Sequence, residues 1–412
     1  MIDLKLLREH PEVVAKAIRN RGWSVDLEAV QKIDTAYRET LQQVETLRAA
    51  QNQSSGPIDE TRRAAKRTVK AELKEAEEKL KELERTREAL LRDLPNIPQA
   101  DVPVGPDESG NLVLRTVGTP AQFSFSPQDY LTLAAEHDLL DLERASKVSG
   151  ARFAYFKGAG ALLNLALVRY GFDIAVRAGF TPILPPVLIG EEAMASMGYL
   201  DYGGEEETYH FAKDRLYLVG TSEQAIGPLH MGEILDANRL PLRYVAFSTC
   251  FRREAGSYGK DTKGILRVHQ FDKVEMFSFT TPEQADEEHQ HLVALQERFM
   301  SGLKLPYRVV ALCTGELSGP SARTYDIETW IPSQGKYRET HSTSTTTDFQ
   351  SRRLRIRYRT SSGDTALVHC LNGTMVAVNR PFIAILENYQ QADGTIAIPL
   401  VLQPYFGKPV IG

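Results

Sequence analysis

Two segments near the N-terminus repeat their apolar positions at alternating spacings of three and four. The seam positions are Val30, Ile33, Tyr37, Thr40, Val44 and Leu47 in the first segment, and Val69, Leu73, Ala76, Leu80, Leu83, Leu90 and Leu94 in the second. This spacing predicts two helices that each carry the a/d seam of a coiled coil. The polar and turn-forming residues 54–57 separate them, so the helices should fold back as an antiparallel hairpin. Thr40 and Arg87 interrupt the seams, and a shorter helix is predicted over residues 4–19.

The pattern changes near residue 95. Pro95 and Pro98 end the second helix, because the residue before a proline is pushed out of the α region. A stretch rich in Gly, Pro and Asp follows to about Gly118 and predicts a linker. Beyond it, helical periods mix with the alternating pattern of strands, which favours one large α+β domain. The predicted domains are residues 1–104 and residues 105–412.

Composition excludes several classes of protein. The chain has 412 residues, of which 42% are hydrophobic and 25% charged, and these are ordinary values for a globular protein rather than a disordered or collagenous one. The net charge of −5 leaves any nucleic-acid contact to a local basic patch. The three cysteines stand far apart, as suits a reducing compartment. With no secretory signal pattern and no apolar run of roughly 20 residues, we expect a cytoplasmic protein without a membrane segment.

Basic residues form a stripe at the start of the second predicted helix. Arg62, Lys66 and Lys70 recur every fourth residue, and Arg63 and Arg67 lie beside them. One interpretation is a solvated face stabilised by i,i+4 ion pairs. The other is a cationic stripe that lies along a phosphate backbone. The sequence pattern leaves both open.

A charged strand hairpin is predicted between Leu242 and Phe279, on either side of a loop with glycines and lysines. Alternation places Arg252 and Glu254 on one strand face. The face of the returning strand carries Arg267, His269, Phe271, Lys273 and Glu275. So much charge is costly to bury unless it surrounds a charged ligand, although an exposed hairpin would show the same pattern. The glycine spacing here and at Gly158 fits neither a P-loop nor a dinucleotide fingerprint.

Three long segments resemble the signature motifs of the seryl-tRNA synthetase family, within class II of the aminoacyl-tRNA synthetases. FRREAGSYGKDTKGILRVHQFDKVEMF is similar to motif 2, AGFTPILPPVL to motif 1, and NGTMVAVNRPFIAILENYQQADG to motif 3. The N-terminal hairpin resembles the tRNA-binding arm of that family. The resemblance implies a class II catalytic domain built on an antiparallel sheet, with an N-terminal coiled-coil arm.

The resemblance also implies roles in ATP binding. Arg252 would hold the α-phosphate and the substrate carboxylate, Glu254 would contact the adenine amino group, and Phe271 would stack on the ring. Arg380 would hold the γ-phosphate. Independently, Pro381 predicts a helix start beside Arg380, which is a favourable place for an anion. The full ATP-binding set is Arg252, Arg253, Glu254, Val268, Phe271, Glu339, Thr340, His341, Ser342 and Arg380.

The serine-binding set implied by the resemblance is Thr221, Ser222, Glu223, Arg252, Glu275 and Thr374. Thr221 and Glu223 would bind the ammonium group, and on an extended segment they would face the same way. A small pocket that ends in a carboxylate and a hydroxyl favours a hydroxylated ligand. Arg252, Glu275 and Arg380 are the catalytic candidates.

Glu339 and Ser342 are the implied ligands of Mg²⁺, which prefers oxygen donors. Ser222, Thr340 and His341 depart from the residues usual in the family at their positions. A lone His341 without partner His or Cys residues does not suggest a transition-metal site.

The activity that the resemblance implies is ATP-dependent formation of seryl-adenylate, followed by transfer of serine to tRNA(Ser). Charging of tRNA(Sec) is left open. The implied tRNA-binding residues are Arg62, Arg63, Lys66, Arg67 and Lys70, and motif 1 implies a homodimer. Two alternatives remain: a ligase that passes a small amino acid to a carrier protein, and a non-catalytic relative that acts as a scaffold.

Overall fold

The computed structural model describes residues 1–52, 60–255 and 263–412, without the side chains of Thr61 and Arg62. The predicted hairpin turn at residues 54–57 and the loop at residues 256–260 lie outside the described residues. The chain forms two compact units, Met1–Pro95 and Asn96–Gly412.

The division between the units falls at Pro95, before the predicted boundary at residue 104. The Asn96 backbone N–H donates to the carbonyl of Gly319 at 2.9 Å. Its side-chain amide donates to the carbonyls of Pro320 and Thr346, each at 2.8 Å. The start of the predicted linker is therefore hydrogen bonded into the second unit.

The first unit is helical. Its helices are α1 (Leu4–Glu9), α2 (Pro11–Asn20), α3 (Leu27–Asn52) and α4 (Glu60–Arg92). The single helix predicted over residues 4–19 is two helices, because Pro11 lacks a backbone N–H and instead takes the first helical position of α2.

Helices α3 and α4 form the predicted antiparallel coiled coil. Val44 packs with Leu73 and Ala76 toward one end of the pair, while Arg87 reaches Asp34 toward the other end. Asp34 is 3% exposed, and its carboxylate also accepts from Arg8 at 2.7 Å. Arg87 thus interrupts the apolar seam because it neutralises a buried carboxylate.

All strands of the described residues belong to the second unit. They are β1 (Leu112–Val117), β2 (Leu140–Asp141), β3 (Tyr155–Phe156), β4 (Thr181–Ile183), β5 (Leu188–Gly190), β6 (His210–Phe211), β7 (Leu216–Leu218), β8 (Ile234–Asp236), β9 (Leu242–Phe251), β10 (Gln270–Thr280), β11 (Tyr307–Ala311), β12 (Arg323–Ile331), β13 (Lys336–Thr347), β14 (Arg357–Arg359), β15 (Thr365–Leu367), β16 (His369–Ala377), β17 (Ile396–Ala397) and β18 (Val410–Ile411).

Eight of these strands form one sheet in the order β1-β11-β12-β13-β16-β10-β9-β4. Neighbours pair antiparallel except β4, which joins β9 in parallel. The predicted antiparallel α+β fold is confirmed. Register shifts on β10–β16 and β12–β13 mark irregular pairings in the middle of the sheet.

Helices of the second unit lie on both sides of this sheet. They are α5 (Tyr130–Glu136), α6 (Leu142–Ser149), α7 (Ala159–Arg177), α8 (Glu191–Met197), α9 (Gly204–Glu207), α10 (Glu223–Ile226), α11 (Ala285–Leu303), α12 (Phe349–Leu354), α13 (Asn379–Asn388) and α14 (Gln403–Phe406). Leu167 of α7, Phe299 of α11 and Phe382 of α13 share a buried cluster with Val274 and Met276 of β10. Since strand residues alternate, Lys273 and Glu275 face the other way, toward the cavity described below.

Helix α7 is long and apolar enough to cross a membrane, judged by length and composition alone. Its buried side packs in the core through Leu163 and Leu167. Leu162 and Leu165 lie on its other side and are 50% and 61% exposed. One such helix is weak evidence for a membrane span, since a core helix passes the same test.

Candidate active site

A cavity of about 680 Å³ opens on the sheet face opposite the core helices. Its size is typical of a site for a small ligand. The predicted site residues that line it are Thr221, Arg252, Glu254, Val268, Phe271, Glu339, Thr340, Thr374 and Arg380. These residues come from distant parts of the chain, so the fold brings together what the sequence separates.

Arg252 and Phe271 lie side by side at the mouth of the cavity. The Arg252 guanidinium carbon is 5.2 Å from the centroid of the Phe271 ring, and its Nε donates to the carbonyl of Gly220 at 3.1 Å. A flat aromatic face beside a guanidinium suits a ligand with a planar ring and a phosphate.

Glu254 lines the cavity from the loop that follows β9, whereas the sequence predicted it on the strand itself. Strand β9 ends at Phe251, and Glu254 takes a positive φ of 54°, which is uncommon for a residue with a side chain. The returning strand begins only at Gln270. Glu254 is therefore held by its tertiary partner, Arg267, whose guanidinium donates to the carboxylate at 2.6 Å.

Arg380 and Glu339 form the other side of the mouth. Arg380 is the second residue of α13, so the predicted helix start beside it is confirmed. Its guanidinium donates to the Glu339 carbonyl at 2.7 Å and lies 3.1 Å from the Glu339 carboxylate. Partial desolvation raises the pKa of Glu339, but the Arg380 guanidinium outweighs it and lowers that pKa. Glu339 is therefore anionic at neutral pH.

Two buried carboxylates lie behind one end of the cavity lining, where they contact the lining residues Tyr199, Lys273 and Thr374; we call this part of the site its closed end. Glu223 and Glu275 are 4% and 1% exposed. The hydroxyl of Tyr199 donates to Glu223, and the hydroxyl of Thr374 donates to Glu275 at 3.4 Å. Burial raises the pKa of both groups, and the charge of Glu275 raises that of Glu223 further, to about 7. This end of the cavity is suited to a cation.

Thr221 and Glu223 do not lie on an extended segment as predicted. Ser222 has helical backbone angles and Glu223 begins α10, so strand alternation does not set the directions of the Thr221 and Glu223 side chains. Ser222 is fully buried, and its hydroxyl pairs with that of Ser248 at 2.7 Å. Its predicted contact with serine therefore cannot come from the side chain in this arrangement.

His341, Arg253 and Ser342 also lie away from the cavity lining. The His341 ring packs 5.5 Å from the Phe299 ring on the core side of the sheet, so a contact with ATP would have to come from its backbone. Arg253 lies 6.0 Å over the Tyr209 ring. Ser342 is on β13, near Glu339 but one strand face removed from its immediate neighbour His341.

The residues predicted to hold Mg²⁺ have a third oxygen donor beside them. Ser342 pairs with Asp326 across β12 and β13, and its hydroxyl hydrogen bonds to the Asp326 carboxylate. Asp326 is 8% exposed, and its Oδ1 is buried without a hydrogen-bond partner in the described part of the chain. Within those same residues, no group of three His, Cys, Asp or Glu side chains forms a metal site. The donors fit a cation that takes most of its ligands from phosphates.

Comparison with known proteins agrees with this geometry. Residues 1–98 match the family model of the seryl-tRNA synthetase N-terminal domain, and residues 208–389 match the class II core domain of the G, H, P, S and T synthetases. The serine–tRNA ligase of Acidothermus cellulolyticus is 48% identical over 420 residues, covering 100% of this chain and 99% of the relative. The chain belongs to the seryl-tRNA synthetase family. Members of this family are class II ligases that consume ATP.

One further ligase sequence and two solved structures are also similar to this seryl-tRNA synthetase family member over its full length. The serine–tRNA ligase of Thermobifida fusca is 46% identical over 421 residues, covering 100% of this chain and 99% of the relative. The crystal structure of seryl-tRNA synthetase from Pyrococcus horikoshii complexed with ATP superposes with a TM-score of 0.92 at 38% identity, covering 100% of this chain and 99% of that one. The cytoplasmic serine–tRNA ligase of Naegleria fowleri in complex with AMP has a TM-score of 0.88 at 32% identity, with 100% and 98% coverage.

Sequence reasoning missed several residues of the candidate site. Tyr199 and Asn379 line the cavity but belong to no predicted site. Asn379 donates to the carbonyl of Ile265 at 3.0 Å and so supports the chain that leads into β10. Lys273 was assigned to the charged strand face without a role. Only its place beside Glu275 in that alternating pattern could have drawn attention to it.

Proposed function

We propose that this cavity binds ATP and L-serine, forms seryl-adenylate, and then serves the transfer of serine to the 3′ end of tRNA(Ser). The observation that carries this proposal is the combination of guanidinium groups that line the cavity with two buried carboxylates that contact its lining residues Tyr199, Lys273 and Thr374. A triphosphate fits the first chemistry and an amino acid with its ammonium inward fits the second. The same charging assay with tRNA(Sec) tests whether the protein also charges that tRNA.

The mouth residues would orient ATP. Phe271 offers a face for the adenine ring, and Glu254 offers a carboxylate for the adenine amino group. Val268, which is 5% exposed, adds an apolar wall. Arg252 and Arg380 lie on opposite sides of the mouth and would contact the α- and γ-phosphates. With both ends held, the α-phosphorus is presented toward the closed end.

The closed end would orient serine. Glu223 and Thr221 would take the ammonium group, and Arg252 would take the carboxylate. Glu275 and Thr374 would then meet the side-chain hydroxyl. Alanine would leave these buried polar groups without a partner, which is how a small pocket rejects it.

The chemistry then proceeds by two displacements. A serine carboxylate oxygen attacks the α-phosphorus, the bond to the bridging oxygen breaks, and pyrophosphate leaves. A terminal ribose hydroxyl of tRNA next attacks the acyl carbon, and AMP leaves. The first step depends on positioning and on cations beside the oxygens that gain charge, which Arg252 and Arg380 supply. Glu339, Ser342 and Asp326 would hold Mg²⁺, whose charge would offset that of the phosphates.

The coiled-coil arm would bind tRNA. Arg63, Lys66, Arg67 and Lys70 have exposed side chains along the first turns of α4, whereas the side chain of Arg62 lies outside the described residues. Such a stripe can follow an RNA backbone, since the deep groove of an RNA duplex hides its bases from side chains. A carrier-protein ligase would have no use for this stripe.

We also propose a symmetric homodimer in the cytoplasm. Apolar side chains are exposed both on α7 and in the motif 1 segment, where Leu184 is 81% exposed and Leu188 is 40% exposed. A second copy of the chain would cover this surface. The free, buried thiols of Cys250, Cys313 and Cys370 suit a reducing compartment.

The decisive experiment is ATP–pyrophosphate exchange across a panel of amino acids, followed by charging of purified tRNA. We expect exchange with serine and charging of tRNA(Ser). Replacing Arg63, Lys66 and Arg67 together by Ala should lower charging at least about 10-fold at moderate salt while sparing exchange.

The matched control replaces Lys79, Lys81 and Arg85, which also lie exposed on α4 but interleave with glutamates, and should leave both activities near the parent values. Equal loss of charging in both variants would contradict the arm assignment. Absence of serine-dependent exchange in the parent enzyme would contradict the proposed function itself.

A further inference from the structure

Lys273 is a buried ammonium group inside the serine pocket. It lies on β10, two residues before Glu275 and on the same face, and it is 7% exposed. Its Nζ is 2.5 Å from Glu275 Oε2, and it donates to the hydroxyl of Thr221 at 3.0 Å. A lysine is seldom buried unless a partner compensates its charge. Lys273 therefore joins two groups of the proposed serine site that are distant in sequence.

The charges at the closed end explain why an ammonium group is needed there. Burial raises the cost of ionising both Glu223 and Glu275, and the charge of Glu275 raises that of Glu223 further. Lys273 and Arg252 are the cations that face both carboxylates, and each lowers the pKa of Glu223 and of Glu275. Arg252 is exposed at the mouth, whereas Lys273 is buried and contacts both Glu275 and Thr221. Lys273 is thus the cation best placed to keep Glu275 ionised.

An amino acid brings one ammonium group to a site that has two carboxylates. If both carboxylates were uncompensated, the ammonium could bind either of them, and the substrate would have two orientations. Lys273 and Thr374 both contact Glu275 through Oε2. The charge of Glu275 is therefore already compensated, and its carboxylate remains available as a hydrogen-bond acceptor.

We propose that Lys273 is a positioning residue that determines amino-acid specificity: it pairs with Glu275 and orients Thr221, so that the substrate ammonium binds Glu223 and the substrate hydroxyl binds Glu275. This inference rests on the proposed function, because it concerns the serine half of that cavity. It predicts that Lys273 affects the choice between serine and alanine without a direct effect on ATP.

The test is Lys273→Met, measured by ATP–pyrophosphate exchange with serine, with alanine and with varied ATP. We expect kcat/KM for serine to fall and the serine-to-alanine ratio of kcat/KM to drop roughly 10-fold or more, since a hydrogen bond to a charged acceptor is lost or misdirected. The KM for ATP should stay within about twofold of the parent value. The pH at which serine binding is half lost should also rise, because Lys273 lowers the pKa of both carboxylates.

Two further variants separate positioning from folding. Lys273→Arg keeps the positive charge and should retain most of the serine-to-alanine ratio, even if turnover falls. Lys336→Met removes an exposed lysine from β13 and should leave all measured values unchanged. Should Lys273→Met fail to fold by circular dichroism, Lys273→Arg decides the matter through its ratio and its pH profile.

Each outcome has a distinct meaning. A serine-to-alanine ratio within about twofold of the parent in Lys273→Met, or equal losses for serine, alanine and ATP, would overturn the proposal in favour of a structural role. So would a loss of that ratio in Lys273→Arg as large as in Lys273→Met. A parent enzyme that exchanges pyrophosphate with serine keeps the proposed function intact in each of these cases.

Discussion

Serine binding should weaken as the pH falls through neutrality, because its ammonium group binds the ionised form of Glu223. Burial and the neighbouring Glu275 raise the pKa of Glu223 to about 7, against the opposing charges of Lys273 and Arg252 and a hydrogen bond from Tyr199. A carboxyl with that pKa is about nine-tenths ionised at pH 8 and about one-tenth ionised at pH 6. If only the ionised form binds, KM for serine should rise roughly 10-fold between pH 8 and pH 6.

The measurement is ATP–pyrophosphate exchange at closely spaced pH values from 6 to 8, with serine and ATP varied in turn. The KM for ATP is the internal control, because Glu223 lies at the closed end of the cavity, away from Arg380 at the mouth. A Glu223→Gln variant should bind serine weakly and lose this pH dependence. A KM for serine that stays constant over the range in the parent enzyme would refute the assignment of the ammonium group to Glu223.

Two further predictions concern the arm and the proposed dimer. Asp34→Asn should destabilise the coiled coil by about 3 kcal/mol, because it leaves two arginines partly unpaired in a buried site, and faster hydrogen exchange in α3 and α4 would report it. Glu77→Gln breaks an exposed ion pair with Arg48 and should destabilise the coiled coil by less than about 1 kcal/mol. Equal destabilisation by the two substitutions would contradict a special role for Asp34. Leu165→Asp should dissociate the proposed dimer, as measured by sedimentation velocity. Leu400→Asp, which also replaces an exposed leucine, should leave the dimer intact. If both variants remain dimers, the interface does not include Leu165.

The parts of the fold that depend on local pattern were predictable. The helical periodicity of apolar residues predicted the coiled-coil hairpin, since an a/d seam depends only on neighbouring turns of a helix. The positions of proline predicted the end of α4 and the start of α13, because the proline ring restricts the local backbone in any context. The same reasoning failed at Thr221–Glu223, where a short polar segment predicted to be extended instead leads into helix α10.

The candidate site was predictable in its composition but not in its contacts. The resemblance of the motifs identified Arg252, Glu275 and Arg380, and the structure places the two arginines at the mouth of one cavity. The resemblance of the motifs could not show that His341 lies on the core face. The β12–β13 register shift between Ile327 and Glu328 alters the strand alternation there.

The sequence by itself determined the helical arm, the antiparallel sheet implied by the motifs, and the family to which the chain belongs. These features follow from residue order at short range and from motifs that survive as linear strings. Only the tertiary structure decided that Lys273 neutralises Glu275 and that Asp326 stands beside Ser342. Such pairings depend on strand register and on burial, because the strength of a charge interaction is set by distance and by exclusion of water, neither of which is written in the order of residues.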